Sequence, residues 1–132
     1  MLARENFMDE ERCEKAASEL AKVARVVVNY DRSYDIIDEL NRAADDPKKV
    51  LELLTNLSRV VLKVYKKVEE GGGEGLRDVL AQIRKWDQYL EVFEKDCLNG
   101  PKYVRVFTSL SIVPDDNAFR VIRALEGSGP EA

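Results

Sequence analysis

The stretch DPKKVLELLTNLSRVVLKVYKKVEE, residues 46–70, decides the fold. Asp46 followed by Pro47 is a helix start: the carboxylate can accept from the free amides of a first turn, and proline is tolerated there because its missing N–H would have no partner. Val50, Leu51, Leu54, Leu57, Val61, Val64 or Tyr65, and Val68 then recur at helical spacing, so a helix to about Glu70 has one apolar side. Arg59, Lys63, Lys66 and Lys67, at i, i+4, i+7 and i+8, share a face opposite much of that stripe.

Upstream, Cys13, Ala16, Ala17, Leu20, Val23, Ala24, Val27 and Tyr30 keep one face apolar and predict a helix from about Asp9 to Tyr30. Asp31-Arg32-Ser33 is a polar break with Ser33 as N-cap candidate, and Tyr34, Ile37, Leu40 and Ala44 continue at helical spacing. Downstream, Gly71-Gly72-Gly73-Glu74-Gly75 reads as a flexible loop, since four glycines in five residues oppose a helix through backbone entropy. Leu76, Val79, Leu80, Ile83, Trp86, Leu90, Phe93 and Cys97 form one long amphipathic pattern closed by Asn99-Gly100-Pro101. Lys102 to Val113 fits a helix through Tyr103, Val106, Leu110 and Val113, or a strand through its alternating Val104, Val106, Thr108, Leu110 and Ile112. A lone strand would lack a partner, so helix is the expectation. After Pro114, Asp115 and Asp116 can cap a last helix with Phe119, Ile122 and Leu125 inward, and Gly127 to Ala132 reads as a disordered tail. The fold expected is all-α, a compact bundle of five or six helices in one domain over 1–126 with the glycine loop at 71–75.

Composition removes whole classes of chemistry. The chain contains no histidine, which excludes Ser/His and Cys/His nucleophile pairs and His-containing zinc sites. Cys13 and Cys97 stand 84 positions apart without a CxxC pattern, so they read as buried free thiols rather than a zinc cluster or disulfide framework. The net charge of -4, from 21 basic and 25 acidic residues, argues against a general nucleic-acid coat and leaves room for a local basic stripe. A charged fraction of 35% with only Gln82 and Gln88 as glutamines is the kind of surface seen in thermophiles. No apolar run approaches a membrane span, and Met1 to Glu11 is too acidic and polar for a signal peptide, so a cytoplasmic protein without membrane contact is expected. No cofactor is indicated.

Two constellations have the residue types for function. Arg59, Lys63, Lys66 and Lys67, with a second polar face of Arg77, Arg84 and Gln88, could track phosphates, and Tyr65, Trp86 or Tyr89 could stack on bases. The same rows also read as a solvated face balanced by Glu69, Glu70 and Glu74, and Trp86 by its spacing reads as core. Glu10, Glu11 and Glu14, with Asp35 and Asp38 on the next helix, resemble the EExxE and ExxD motifs of all-α nucleoside triphosphate pyrophosphohydrolases, in which carboxylates hold Mg²⁺. They depart from that pattern in having Asp35 for Glu. Acidic residues also favour a helix's first turn without any metal.

The arrangement of the first half carries a second resemblance. The apolar helix Leu20 to Val28, the turn Tyr30-Asp31-Arg32-Ser33, the Ile36-Ile37-Asp38 segment ending in Asn41 to Ala44, and the run Val50 to Val61 containing Arg59 look like the small subunit of archaeal type I-A CRISPR Cascade complexes. After Gly75 the likeness is limited to the Leu76 to Phe93 helix and the apolar segment behind it. Some members carry a small β insertion where this chain has its glycines. The resemblance implies a non-enzymatic subunit of an antiviral RNA-guided complex, with other Cascade subunits as partners and the guide RNA or target DNA backbone of the R-loop as its contact. A rival expectation is a stand-alone interaction module that self-associates through an exposed apolar face at Lys102 to Val113.

Overall fold

A computed structural model describes residues 2–43, 45–71, 73–99, 101–108 and 115–125. Its elements are α1 (Leu2–Asp31), α2 (Tyr34–Arg42), α3 (Pro47–Gly71), a 3₁₀ turn (Gly73–Leu76), α4 (Arg77–Arg84), α5 (Trp86–Asp96), a second 3₁₀ turn (Pro101–Val104), α6 (Arg105–Thr108) and α7 (Asp116–Leu125). No strand occurs among the described residues, and the chain is a compact all-α bundle.

α1 is its axis, packed against α3, α5 and α7. Its residues Val26, Val27 and Val28 are all buried, so at this level the helix has protein around most of its circumference. α3 buries the stripe read from sequence at Val50, Leu54, Leu57, Val61, Val64 and Val68, and adds Leu53. Phe93 of α5 meets Phe107 of α6 edge to face, with ring centres 6.1 Å apart.

Local signals set most of the boundaries. The Lys49 amide donates to Asp46 Oδ1 at 3.2 Å, and the Ala118 amide to Asp115 Oδ1 at 2.9 Å, as capping carboxylates should accept. α1 ends in a Schellman turn. Arg32 takes the left-handed conformation, φ 62°, and the Ser33 amide reaches back to the Val28 carbonyl at 3.0 Å. Ser33 holds the N-cap position of α2, but its hydroxyl bonds the Asp31 carboxylate and caps no helix amide.

Five expectations are corrected. α1 begins at Leu2, upstream of Asp9, because 2–9 contain strong helix formers that extend it. The described part of the glycine stretch is helical rather than open loop: Gly71 closes α3 and Gly73–Leu76 form a 3₁₀ turn, anchored by the buried Leu76. Gly71 also lies where an added Cβ would stand 2.9 Å from Leu125 Cδ2, so the absent side chain lets α7 close on α3. The helix read as continuous over 76–97 breaks at Lys85, whose amide bonds the Gln82 and Ile83 carbonyls and starts a new axis at Trp86. Cys13 and Cys97 are not free thiols. They form a disulfide, Cα–Cα 5.5 Å, that ties α1 to the C-cap of α5, because the packing of those helices brings two buried cysteines together.

The fifth correction is at α7. Its cap at Asp115 turns Ala118 and Val121 into the core, leaving Ile122 and Leu125 half-buried and Phe119 49% exposed. Over 101–108 the helical expectation holds, with Tyr103, Val104 and Phe107 buried and Val106 half-buried. Residues 109–113, Ala44 and the tail at 127–132 lie outside the described residues.

Candidate nucleic-acid interface

The helical stripe of α3 dictates where its cations go. With Leu57, Val61, Val64 and Val68 turned inward, Arg59, Lys63, Lys66 and Lys67 all stand exposed on the outer side. Lys63 is partly spoken for, since its Nζ lies 3.0 Å from Asp31 Oδ1 and clips α3 to the end of α1. The Ser33 hydroxyl, and then Lys63, hold the Asp31 carboxyl below its usual pKa against the opposing effect of burial. Arg59, Lys66 and Lys67 have no carboxylate within ion-pair distance among the described residues. Leu62 sits among these cations and is 55% exposed.

The second polar face does not form as one row. The break at Lys85 separates Gln88 from Arg77 and Arg84, although all three are exposed. Arg84 turns instead toward α3: its Nε–H donates to the Tyr65 hydroxyl at 2.8 Å and its guanidinium lies 5.8 Å from the ring centre. That hydrogen bond raises the Arg84 pKa further. Trp86 is core, as its spacing predicts, only 2% exposed, with Nε1–H donating to Ser58 Oγ at 2.9 Å. Tyr65 and Tyr89 are half-buried.

Sequence reasoning did not find the cleft between α3 and the α4–α5 break. Its volume is about 200 Å³, with Ser58, Leu62, Tyr65, Arg84, Trp86 and Asp87 among its lining. The signal was available in Ser58, Leu62 and Tyr65, which follow i, i+4, i+7 along one flank of α3. The opposing wall depends on the Lys85 break, for which no glycine or proline gives notice.

The acidic constellation acquires no metal geometry. Glu11 and Glu14 of α1 and Asp35 and Asp38 of α2 are exposed, and Glu10 is half-buried. No group of three or more carboxylates or cysteines among the described residues is placed to hold a metal ion. Nor is any described helix long and apolar enough to cross a membrane.

Compared with known proteins, the chain is 28% identical over 124 residues to the CRISPR system associated protein Csa5 of Thermoproteus tenax, an alignment covering 86% of this chain and 93% of that protein. No family model matches the chain, and no solved structure does. The similarity to this CRISPR-associated protein thus covers most of the chain, beyond the first-half segments that carry the resemblance read from sequence.

Proposed function

We propose that this CRISPR-associated chain is a non-enzymatic small subunit of an RNA-guided DNA surveillance complex, contacting the other Cascade subunits and steadying the R-loop strands through the basic face of α3. The observation that carries the reading is the similarity to Csa5 over 86% of the chain. The exposed row of Arg59, Lys63, Lys66 and Lys67 supports it by offering a place for phosphates. From Arg59 to Lys67 the row runs about 12 Å along the helix axis, enough for two or three phosphates of one strand. Arg77 and Arg84, both exposed on α4, are further candidates for phosphate contact. In such an assembly base pairing with the guide reads the sequence, so protein contacts confined to the backbone suffice.

Reconstitution tests this reading. Adding the purified chain to the other effector subunits, guide and target duplex should give a co-eluting complex that retains the DNA longer than the same mixture without it. A chain that does not co-elute with those subunits would contradict the reading and favour the stand-alone interaction module.

A further inference from the structure

The cleft beside the basic row has a shape and position that phosphate contacts alone do not use. Leu62 belongs to both: it stands among Arg59, Lys63, Lys66 and Lys67, and it forms the rim of the cleft. The depths are apolar, with Val61, Ile83 and Trp86 almost fully buried, while Leu62, Arg84 and Asp87 stand exposed at the mouth. At about 200 Å³ the cleft is below the roughly 300 Å³ at which drug-sized ligand sites begin, so it suits one flat heterocycle rather than a whole nucleotide cofactor. Arg84 is already fixed across the Tyr65 ring through its Nε, which leaves the terminal nitrogens of its guanidinium for an incoming group.

We propose that this cleft receives a single unpaired nucleobase from a strand whose phosphates lie along α3. The proposal rests on the phosphate-binding role of that face. The base would slide between Leu62 and the Tyr65–Arg84 pair toward the Trp86 indole, with its polar edge at the mouth, where Arg84 donates and Asp87 accepts. Duplex bases are stacked and cannot enter, so the cleft adds affinity only for unpaired strands.

Trp86 is the only tryptophan of the chain and reports on the cleft directly. Its emission is followed at low ionic strength while the full chain is titrated with a thymidine single strand, an abasic strand of equal length, and a duplex. The expected result is changed emission and about tenfold tighter binding for the base-bearing strand than for the abasic one. Leu62→Ala, at an exposed position, should bring the two strands close to equal. Equal binding of base-bearing and abasic strands with unchanged Trp86 emission would overturn the base site while leaving the phosphate row standing. Absence of binding by all three strands would overturn both.

Discussion

Arg32 occupies the backbone position where a helix that ends in a Schellman turn ordinarily places glycine. Its φ of 62° brings Cβ close to the following carbonyl, a cost of about 1–2 kcal/mol for a residue with a side chain. The side chain is exposed, so little packing offsets it. Arg32→Gly should therefore raise stability by about 0.5–1 kcal/mol, the relief of strain exceeding the extra freedom that glycine gives the unfolded chain. Urea denaturation of the two proteins checks this, and a destabilised variant would mean that Arg32 makes a contact worth more than its strain. The neighbouring Asp31 accepts from both Ser33 and Lys63, so one carboxylate joins the end of α1, the start of α2 and the middle of α3. The polar triplet was legible as a break in helix. Its use as a clip was not, because Lys63 lies 32 positions away.

Between elements, two tethers do what the apolar stripes alone do not. α7 is strapped to α4 by Arg120, whose two terminal nitrogens reach the two Asp78 oxygens at 2.7 and 2.8 Å and the Gly75 carbonyl at 2.6 Å. The fork lowers the Asp78 pKa to about 2. A depressed carboxyl contributes stability that is fully present above its ordinary value of 3.8 and is lost as pH falls through about 2. The protection of α7 amides, corrected for the pH dependence of intrinsic exchange, should therefore fall between about pH 4 and 2, and Arg120→Ala should abolish that fall. The second tether is the Cys13–Cys97 disulfide, closing a segment of 84 positions. Its reduction should lower stability by about 2–4 kcal/mol, read as a drop in denaturation midpoint with dithiothreitol that a Cys13→Ala, Cys97→Ala variant does not show. Caps and stripes made α1, α2 and α3 readable, since Asp46, Pro47 and the i, i+3, i+4 pattern act over a few residues. The Lys85 break, the cysteine pairing and the outward turn of Phe119 depend on which helix packs against which. No periodicity in a single helix encodes that.

Taken as one molecule, the chain carries exposed charges of both signs: Arg59, Lys63, Lys66 and Lys67 line the outside of α3, with Glu69 and Glu70 exposed at its end, and Glu11, Glu14, Asp35 and Asp38 stand exposed on α1 and α2. With a net charge of -4, long-range attraction to DNA is poor, so the isolated chain should bind weakly and binding should strengthen when partner subunits hold the strand nearby. The carboxylates give the hydrolase alternative its own test. Nucleoside triphosphates incubated with the protein and Mg²⁺ or Mn²⁺ should remain intact; turnover abolished by Glu14→Ala and Asp38→Ala would establish the enzyme reading instead. The most direct measurement of the central claim uses Arg59→Ala, Lys66→Ala, Lys67→Ala, the cations of the α3 row without a carboxylate partner among the described residues, in the reconstituted complex. Target-DNA affinity is followed against salt concentration. The account predicts normal assembly, weaker DNA retention, unchanged sequence preference, and a log–log salt slope shallower by about one unit for each phosphate that the variant no longer neutralises. Normal assembly with unchanged affinity and slope would contradict it and make the outer face of α3 solvated surface.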